Sequence, residues 1–304
     1  MTAGQIGKKR QKPRKLAEKG FIAVIVAPAI LYFGVIFYYP TIMNIYYMFC
    51  DYNLIKDPKF VGLKNIIRFF SDPLALGAFR NTFIITIVSV PVVIIAALLI
   101  GTGLSKITRG VGFFRSAIFA AYLTSLTVAA IVFKSWFGTE SGFINGVLTQ
   151  LGGSKIPWLS QPSTAMAIVI VLSVWKNVGY YVVVFLAGFS NVDTGLYEAA
   201  KIDGANSRKI FFSITIPQLM PTIIYSSIIA MINFLRTYSS VLVLTNGGPY
   251  SSTQTVLMYM FDQGFSSRNV GYASVISVAL ILVILVLTVI QMRMSHMMDE
   301  EGAM

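Results

Sequence analysis

Charge is scarce in this chain of 304 residues: 12% are Asp, Glu, Lys or Arg, against about 25% in an average soluble domain. Hydrophobic residues make up 56% and the mean hydropathy is +0.73, which excludes an ordinary soluble globular domain. There is one cysteine, Cys50, and one histidine, His296. A disulfide framework or a His/Cys metal cluster needs several such side chains at one point, so neither is expected and Cys50 reads as a small apolar side chain. Acidic residues number 12, and all of them fall outside the long apolar runs. That counts against a proton-coupled secondary transporter, which works through an intramembrane carboxylate, though not against a facilitator channel. An intramembrane enzyme needs a nucleophile with a base, or a metal; with the histidine in the tail beside Asp299, Glu300 and Glu301, no catalytic residues are expected. The phosphate-cradling pattern G-x-x-x-x-G-K-[S/T] is also missing, so the chain does not bind ATP by that motif.

Long apolar runs are what the chain has. A helix needs roughly 20 mostly apolar residues to cross a hydrocarbon core of about 30 Å. Six segments qualify: 21–39, 81–104, 113–137, 165–189, 219–244 and 272–291. None alternates in the way that strands of a membrane barrel do. The expected fold is therefore an all-α integral membrane bundle of six transmembrane helices. It is flanked by a basic tail over 1–20 and a C-terminal tail over 293–304, with the six-helix transmembrane domain at 21–292. The basic start resembles that of a secretory signal, but Ile36-Phe37-Tyr38-Tyr39-Pro40 offers no small-x-small cleavage site. Aromatics followed by Pro40 read instead as a helix terminus at headgroup level.

The formal net charge of +12 invites a nucleic-acid reading, but the cations sort by membrane side instead. With the N-terminus inside, the inner pieces hold Lys8, Lys9, Arg10, Lys12, Arg14, Lys15, Lys19, Lys106, Arg109, Arg115, Lys201, Arg208, Lys209 and Arg293. The outer pieces hold Lys56, Lys59, Lys64, Arg68, Lys155 and Arg268. Both termini are expected in the cytoplasm.

The longest inside connection after the N-terminal tail is then 191–216. Asp193 or Thr194 can cap a short helix, Gly204 interrupts it, and Asn206 or Ser207 can cap a second short helix ending before Pro217. Two short helices with a glycine elbow, flat below the membrane, would make a rigid protrusion. Glu198-Ala199-Ala200, three residues, Gly204, nine residues, then Ile214-Thr215-Ile216-Pro217 resembles the EAA signature of the membrane subunits of binding-protein-dependent ABC importers. The one departure is Ile216 where Leu is usual. Leu244-Thr245-Asn246-Gly247-Gly248-Pro249, Gly142-Phe143-Ile144-Asn145 and Ile202-Asp203-Gly204-Ala205 are similar to the carbohydrate branch of that family, of maltose and glycerol-phosphate type.

The resemblance implies a permease subunit in the bacterial inner membrane that forms half of a path for a sugar or oligosaccharide. It implies as partners a second homologous permease, two cytoplasmic ATPase subunits and an extracytoplasmic solute-binding protein. ATP and Mg would be bound by the ATPase subunits, and this chain would hold no cofactor. The coupling residues would be Glu198, Ala199, Ala200, Asp203, Gly204 and Pro217. Small Ala199 and Ala200 would let a helix press into a groove, Glu198 would meet a basic residue, and Gly204 would supply the turn. Polar side chains inside apolar spans face a bundle interior or an aqueous cavity. Asn177 and Tyr180 in the fourth span, and Asn233, Phe234, Arg236, Thr237 and Tyr238 in the fifth, are the candidate substrate path, with Asn233 and Thr237 on one helix face. Rings beside amides and hydroxyls suit a sugar, although the same polar groups also suit hydrogen bonds between helices. Lys176 and Arg236 leave two readings open: an acidic sugar, or a partner contact with the charges reaching toward an interface. A facilitator channel or a secondary transporter for a small polar solute is the alternative to the importer.

Overall fold

A computed structural model of the chain describes residues 13–107 and 109–301; residues 1–12 of the expected basic tail and 302–304 of the C-terminal tail lie outside them. Among the described residues there are fourteen helices. They are α1 Pro13–Phe33, α2 Tyr39–Tyr47, α3 Lys64–Ser71, α4 Pro73–Ser105, α5 Val111–Leu123, α6 Leu126–Trp136 and α7 Phe143–Gln150, followed by α8 Pro162–Ser190, α9 Thr194–Ile202, α10 Ser207–Ile210, α11 Ile216–Leu235, α12 Ser239–Leu244, α13 Val256–Phe261 and α14 Val270–Glu301. Two short antiparallel strands in the segment between the first two spans, β1 Cys50–Asp51 and β2 Lys59–Phe60, were not foreseen. Five helical stretches are long and apolar enough to span a membrane, and a sixth is counted if the bent pair α5 and α6 is one span.

The spans depart from the sequence reading in definite ways. The third is broken: α5 and α6 meet at 90° across Thr124 and Ser125, both with extended backbone. The Thr124 hydroxyl and amide both bond to the Ala120 carbonyl, the local competition by which a hydroxyl residue ends a helix. The fifth is interrupted at Arg236–Tyr238, so Thr237 lies in the break rather than one turn along a continuous helix from Asn233. Pro40 does not end the first span. A wide π-helical turn over Gly34–Tyr38, closed by the Tyr39 amide on the Gly34 carbonyl, carries the helix past the proline into α2. Proline has no N–H and crowds the carbonyl four residues back, and a wider turn relieves both. The same device over Phe211–Thr215 runs α10 through Pro217 into α11, so the second short helix of the 191–216 loop is the base of the fifth span. Helix also replaces tail at both ends, from Pro13 and up to Glu301.

The centre of the bundle is α4 against α8, with α11 across both. Val93, Ala97, Tyr181, Phe185, Leu219 and Phe234 are almost fully buried there. A second apolar cluster ties the later halves of the broken spans together, with Ala130 and Phe133 of α6 against Val241 and Leu244 of α12. The end of the bundle that holds α3 and the start of α4 is closed by polar bonds. Asp72 caps α4 through the Leu74 and Ala75 amides and accepts the Tyr259 and Tyr272 hydroxyls at 2.6 Å each. Burial pushes its carboxyl up, but these four hydrogen bonds outweigh it and hold the group below its ordinary value. The Asn246-Gly247-Gly248-Pro249 loop is roofed over α4 by the buried Asn81 amide, which donates to the Ser251 and Gln254 carbonyls. Asn145, 1% exposed, donates to the Thr139 and Ile156 carbonyls and accepts from the Ile156 amide and the Trp158 indole, which makes it the staple of its loop.

Candidate functional site

Two places hold the residues singled out by sequence. The first is α9 and the turn that follows it. Asp193 caps α9 through the Gly195 amide at 2.8 Å, and Asn206 caps α10 through the Lys209 amide at 2.9 Å, both as local cap chemistry requires. The far end of α9 closes through the Ala205 amide on the Ala200 carbonyl at 2.9 Å, with Gly204 at φ +72 in the left-handed region. That glycine-terminated closure is the usual C-terminal stop of a helix. Glu198, Ala199 and Asp203 are exposed and Ala200 is half-buried, while Pro217 sits exposed at the second position of α11. Leu196 and Ile202 flank Ala199 at a spacing of three, and Ile202 is 87% exposed, so α9 offers an uncovered apolar ridge beside the Glu198 carboxylate. Ile202 was not singled out as a contact, although its place before Asp203-Gly204 was the available signal. Below the ridge a cleft of about 430 Å³ separates α9 from Thr102, Lys106 and Phe211. The Tyr197 hydroxyl reaches across to the Thr215 hydroxyl at 3.4 Å, joining α9 to the base of the fifth span.

The second place is a cavity of about 300 Å³ where the breaks of the third and fifth spans face each other. Six of the seven residues expected on the substrate path line it: Asn177, Asn233, Phe234, Arg236, Thr237 and Tyr238. Tyr180 does not; it packs tilted against Tyr122 with centroids 5.2 Å apart and stands edge-on to Tyr181, one ring behind the wall. The wall itself includes Tyr122 and Leu126 of the third span and Ser173 one turn before Asn177, none of which the sequence reading picked out. The Asn177 amide donates to the Ser173 carbonyl and leaves its oxygen free for a ligand, and Asn233 faces the Tyr181 hydroxyl at 3.5 Å.

The two cations behave differently. Lys176 neither snorkels nor stands free: its ammonium donates to the carbonyls of Ala121 at 3.2 Å, Thr124 at 2.6 Å, and Tyr122. Arg236 is exposed at the end of α11, and its guanidinium has no hydrogen-bond partner among the described residues. No carboxylate lines the cavity. Amides, hydroxyls and ring edges around such a space can bind a polyhydroxylated solute.

Residues 75–299 match the family described as binding-protein-dependent transport system inner membrane component. The chain is 35% identical to the arabinooligosaccharides transport system permease protein AraP of Bacillus subtilis, over 92% of this chain and 90% of that one. It is 34% identical to the lactose transport system permease protein LacF of Rhizobium radiobacter, over 88% and 91% of the two chains. In fold it is similar to a chain of a bacterial alginate ABC transporter solved with an alginate pentasaccharide-bound periplasmic protein, with a TM-score of 0.84 and 19% identity over 95% of this chain and 98% of that one.

Proposed function

The chain belongs to the inner membrane components of binding-protein-dependent transport systems, and on that premise we propose that it forms half of the translocation path of an ATP-driven importer for a sugar or oligosaccharide. It is a multi-pass inner membrane permease that serves a solute-binding protein. The carbohydrate class rests on full-length relatives named for arabinooligosaccharide and lactose transport and on a cavity of amides, hydroxyls and aromatic edges. Both termini lie in the cytoplasm by the distribution of Lys and Arg. The remaining partners are a second homologous permease and two ATPase subunits, which bind ATP and Mg. The first span supports the permease partner: among the described residues its α1 part and the wide turn after it are almost wholly uncovered, with Phe21, Leu31 and Phe37 each more than half exposed, and only its α2 end packs on this chain, where the Asn44 amide meets the Ser277 hydroxyl.

The observation that carries the mechanism is the continuity from α9 to the cavity. The ridge of Leu196, Ala199 and Ile202, with Glu198 beside it, seats in a groove of the ATPase, and closure of the ATPase pair displaces α9. The Tyr197–Thr215 bond and the shared base pass that displacement to α11. This helix is a rod of 20 residues, roughly 30 Å long at about 1.5 Å per residue, whose far end is the Arg236–Tyr238 break in the cavity wall. Movement at the inner loop thus reshapes the sugar site without any contact between nucleotide and sugar. The test is uptake by vesicles holding the purified complex, with ATP inside and the binding protein plus labelled sugar outside. The reading requires that omitting either ATP or the binding protein stops uptake; uptake that continues without ATP would establish a facilitator instead.

A further inference from the structure

A broken helix in a membrane leaves carbonyls without donors, and each unsatisfied group in that medium is costly. At the break between α5 and α6 the carbonyls of Ala121, Tyr122 and Thr124 lose their helical partners, and a single side chain donates a hydrogen bond to each of the three: Lys176 of α8. An ammonium has three donors and no acceptor, so this pattern saturates it. The end of a helix also carries partial negative charge, which a cation stabilises. The same ammonium lies 5.2 Å from the Tyr122 ring centroid, and Tyr122 lines the cavity.

A second observation places the lysine. One turn on, at Gly179, a Cβ would stand 2.3 Å from the Ile118 carbonyl oxygen and 3.2 Å from the Phe119 Cα. The backbone of α5 therefore lies directly on α8 there, and that close approach brings the end of α5 within reach of a lysine tip. Gly179 and Lys176 form one saddle: the glycine admits the helix and the lysine ties its end.

We infer that Lys176 is a positioning residue of the transport path, holding the 90° bend of the third span and with it the Tyr122 and Leu126 wall of the cavity. Although Lys176 borders the cavity, it does not serve as a ligand for an anionic substrate, because all three of its donors are spent on backbone. This inference rests on the cavity being the sugar path, but its geometric half can be read without sugar. Spin labels at Ser116→Cys and Ser135→Cys, exposed on α5 and α6, report the bend as a distance in the assembled complex, and buried Cys50 does not compete for label. Wild type and Lys176→Arg, which keeps a cation and several donors, give one narrow distance distribution. Lys176→Met shifts and broadens it, and raises the KM of sugar uptake about tenfold, an energy of about 1.4 kcal/mol, with Vmax per assembled complex little changed. Gly179→Ala, whose Cβ would press on the α5 backbone, is the control that shows the labels report a displaced bend. Lys176→Gln, which loses the charge and one donor, shifts the distance as Lys176→Met does and decides the matter if Lys176→Met does not assemble. An unchanged distribution in Lys176→Met or Lys176→Gln overturns the inference, as does an unchanged KM in an assembled Lys176→Met complex. Failure of wild-type uptake would instead count against the importer reading and leave the distance measurement standing.

Discussion

Replacing Gly204 should separate ATP hydrolysis from transport without unfolding the chain. Its φ is +72, and a Cβ built there meets nothing within 4 Å, so a substitution brings no clash and the whole penalty is conformational. An L-residue in the left-handed region costs about 1–2 kcal/mol, with more expected for a β-branched one. That is small against a total stability of about 5–15 kcal/mol, yet it depopulates the local closure by roughly 5- to 30-fold. The closure is the Ala205 amide on the Ala200 carbonyl, the bond that ends α9 beside Ile202 and Asp203. Gly204→Val should therefore insert, assemble and hydrolyse ATP, while uptake per assembled complex falls by roughly that factor. Gly204→Asn, a residue that visits this region routinely, should retain uptake within about twofold. The assay is paired: ATPase rate and sugar uptake on the same vesicles. Normal uptake by assembled Gly204→Val would refute the reasoning. Equal loss in the Val and Asn variants would also refute it, because the backbone conformation would then not be the cause.

Other expectations follow from the same geometry. The Asp72 carboxyl is held below its ordinary value, so its contribution is fully present above about pH 3.9, the unfolded value, and is lost as pH falls through the lower folded one. Thermal unfolding midpoints between pH 6 and 3 should fall more steeply for wild type than for Asp72→Asn. Asn145→Ala removes four hydrogen bonds made by one buried side chain, and a loss of about 2–3 kcal/mol should appear as a lower unfolding midpoint in detergent with the sugar site intact. Arg236 stands in a cavity without a carboxylate. If it selects acidic sugars, Arg236→Ala should lose preference for a charged over a neutral oligosaccharide, and unchanged preference in a binding assay would exclude that role.

Hydropathy placed the spans because the cost of burying polar groups in lipid is averaged over some 20 residues, and the same averaging hid the breaks. Thr124 and Ser125 interrupt a run with neither glycine nor proline to mark them, and hydroxyl residues are common in continuous spans. The opposite error occurred at Pro40 and Pro217, where proline read as a terminus and a wide turn carried the helix through. Caps were legible: Asp193 and Asn206 act on amides two or three residues away, so their chemistry is local. Lys176 was visible as a costly charge, but its partners lie more than 50 residues back, and only the packing of α5 on Gly179 brings them together. Tyr180 was placed on the path because it neighbours Asn177, yet helical rotation turns it against the Tyr122 ring, behind the wall.

The most direct test of the account is the composition of the native complex. The tagged chain is purified in mild detergent from its own host and its companions are identified by mass. The account predicts a cytoplasmic ATPase and a second six-helix permease in stoichiometric amounts. Recovery of this chain alone as a homo-oligomer, under conditions in which related importers stay assembled, would contradict it.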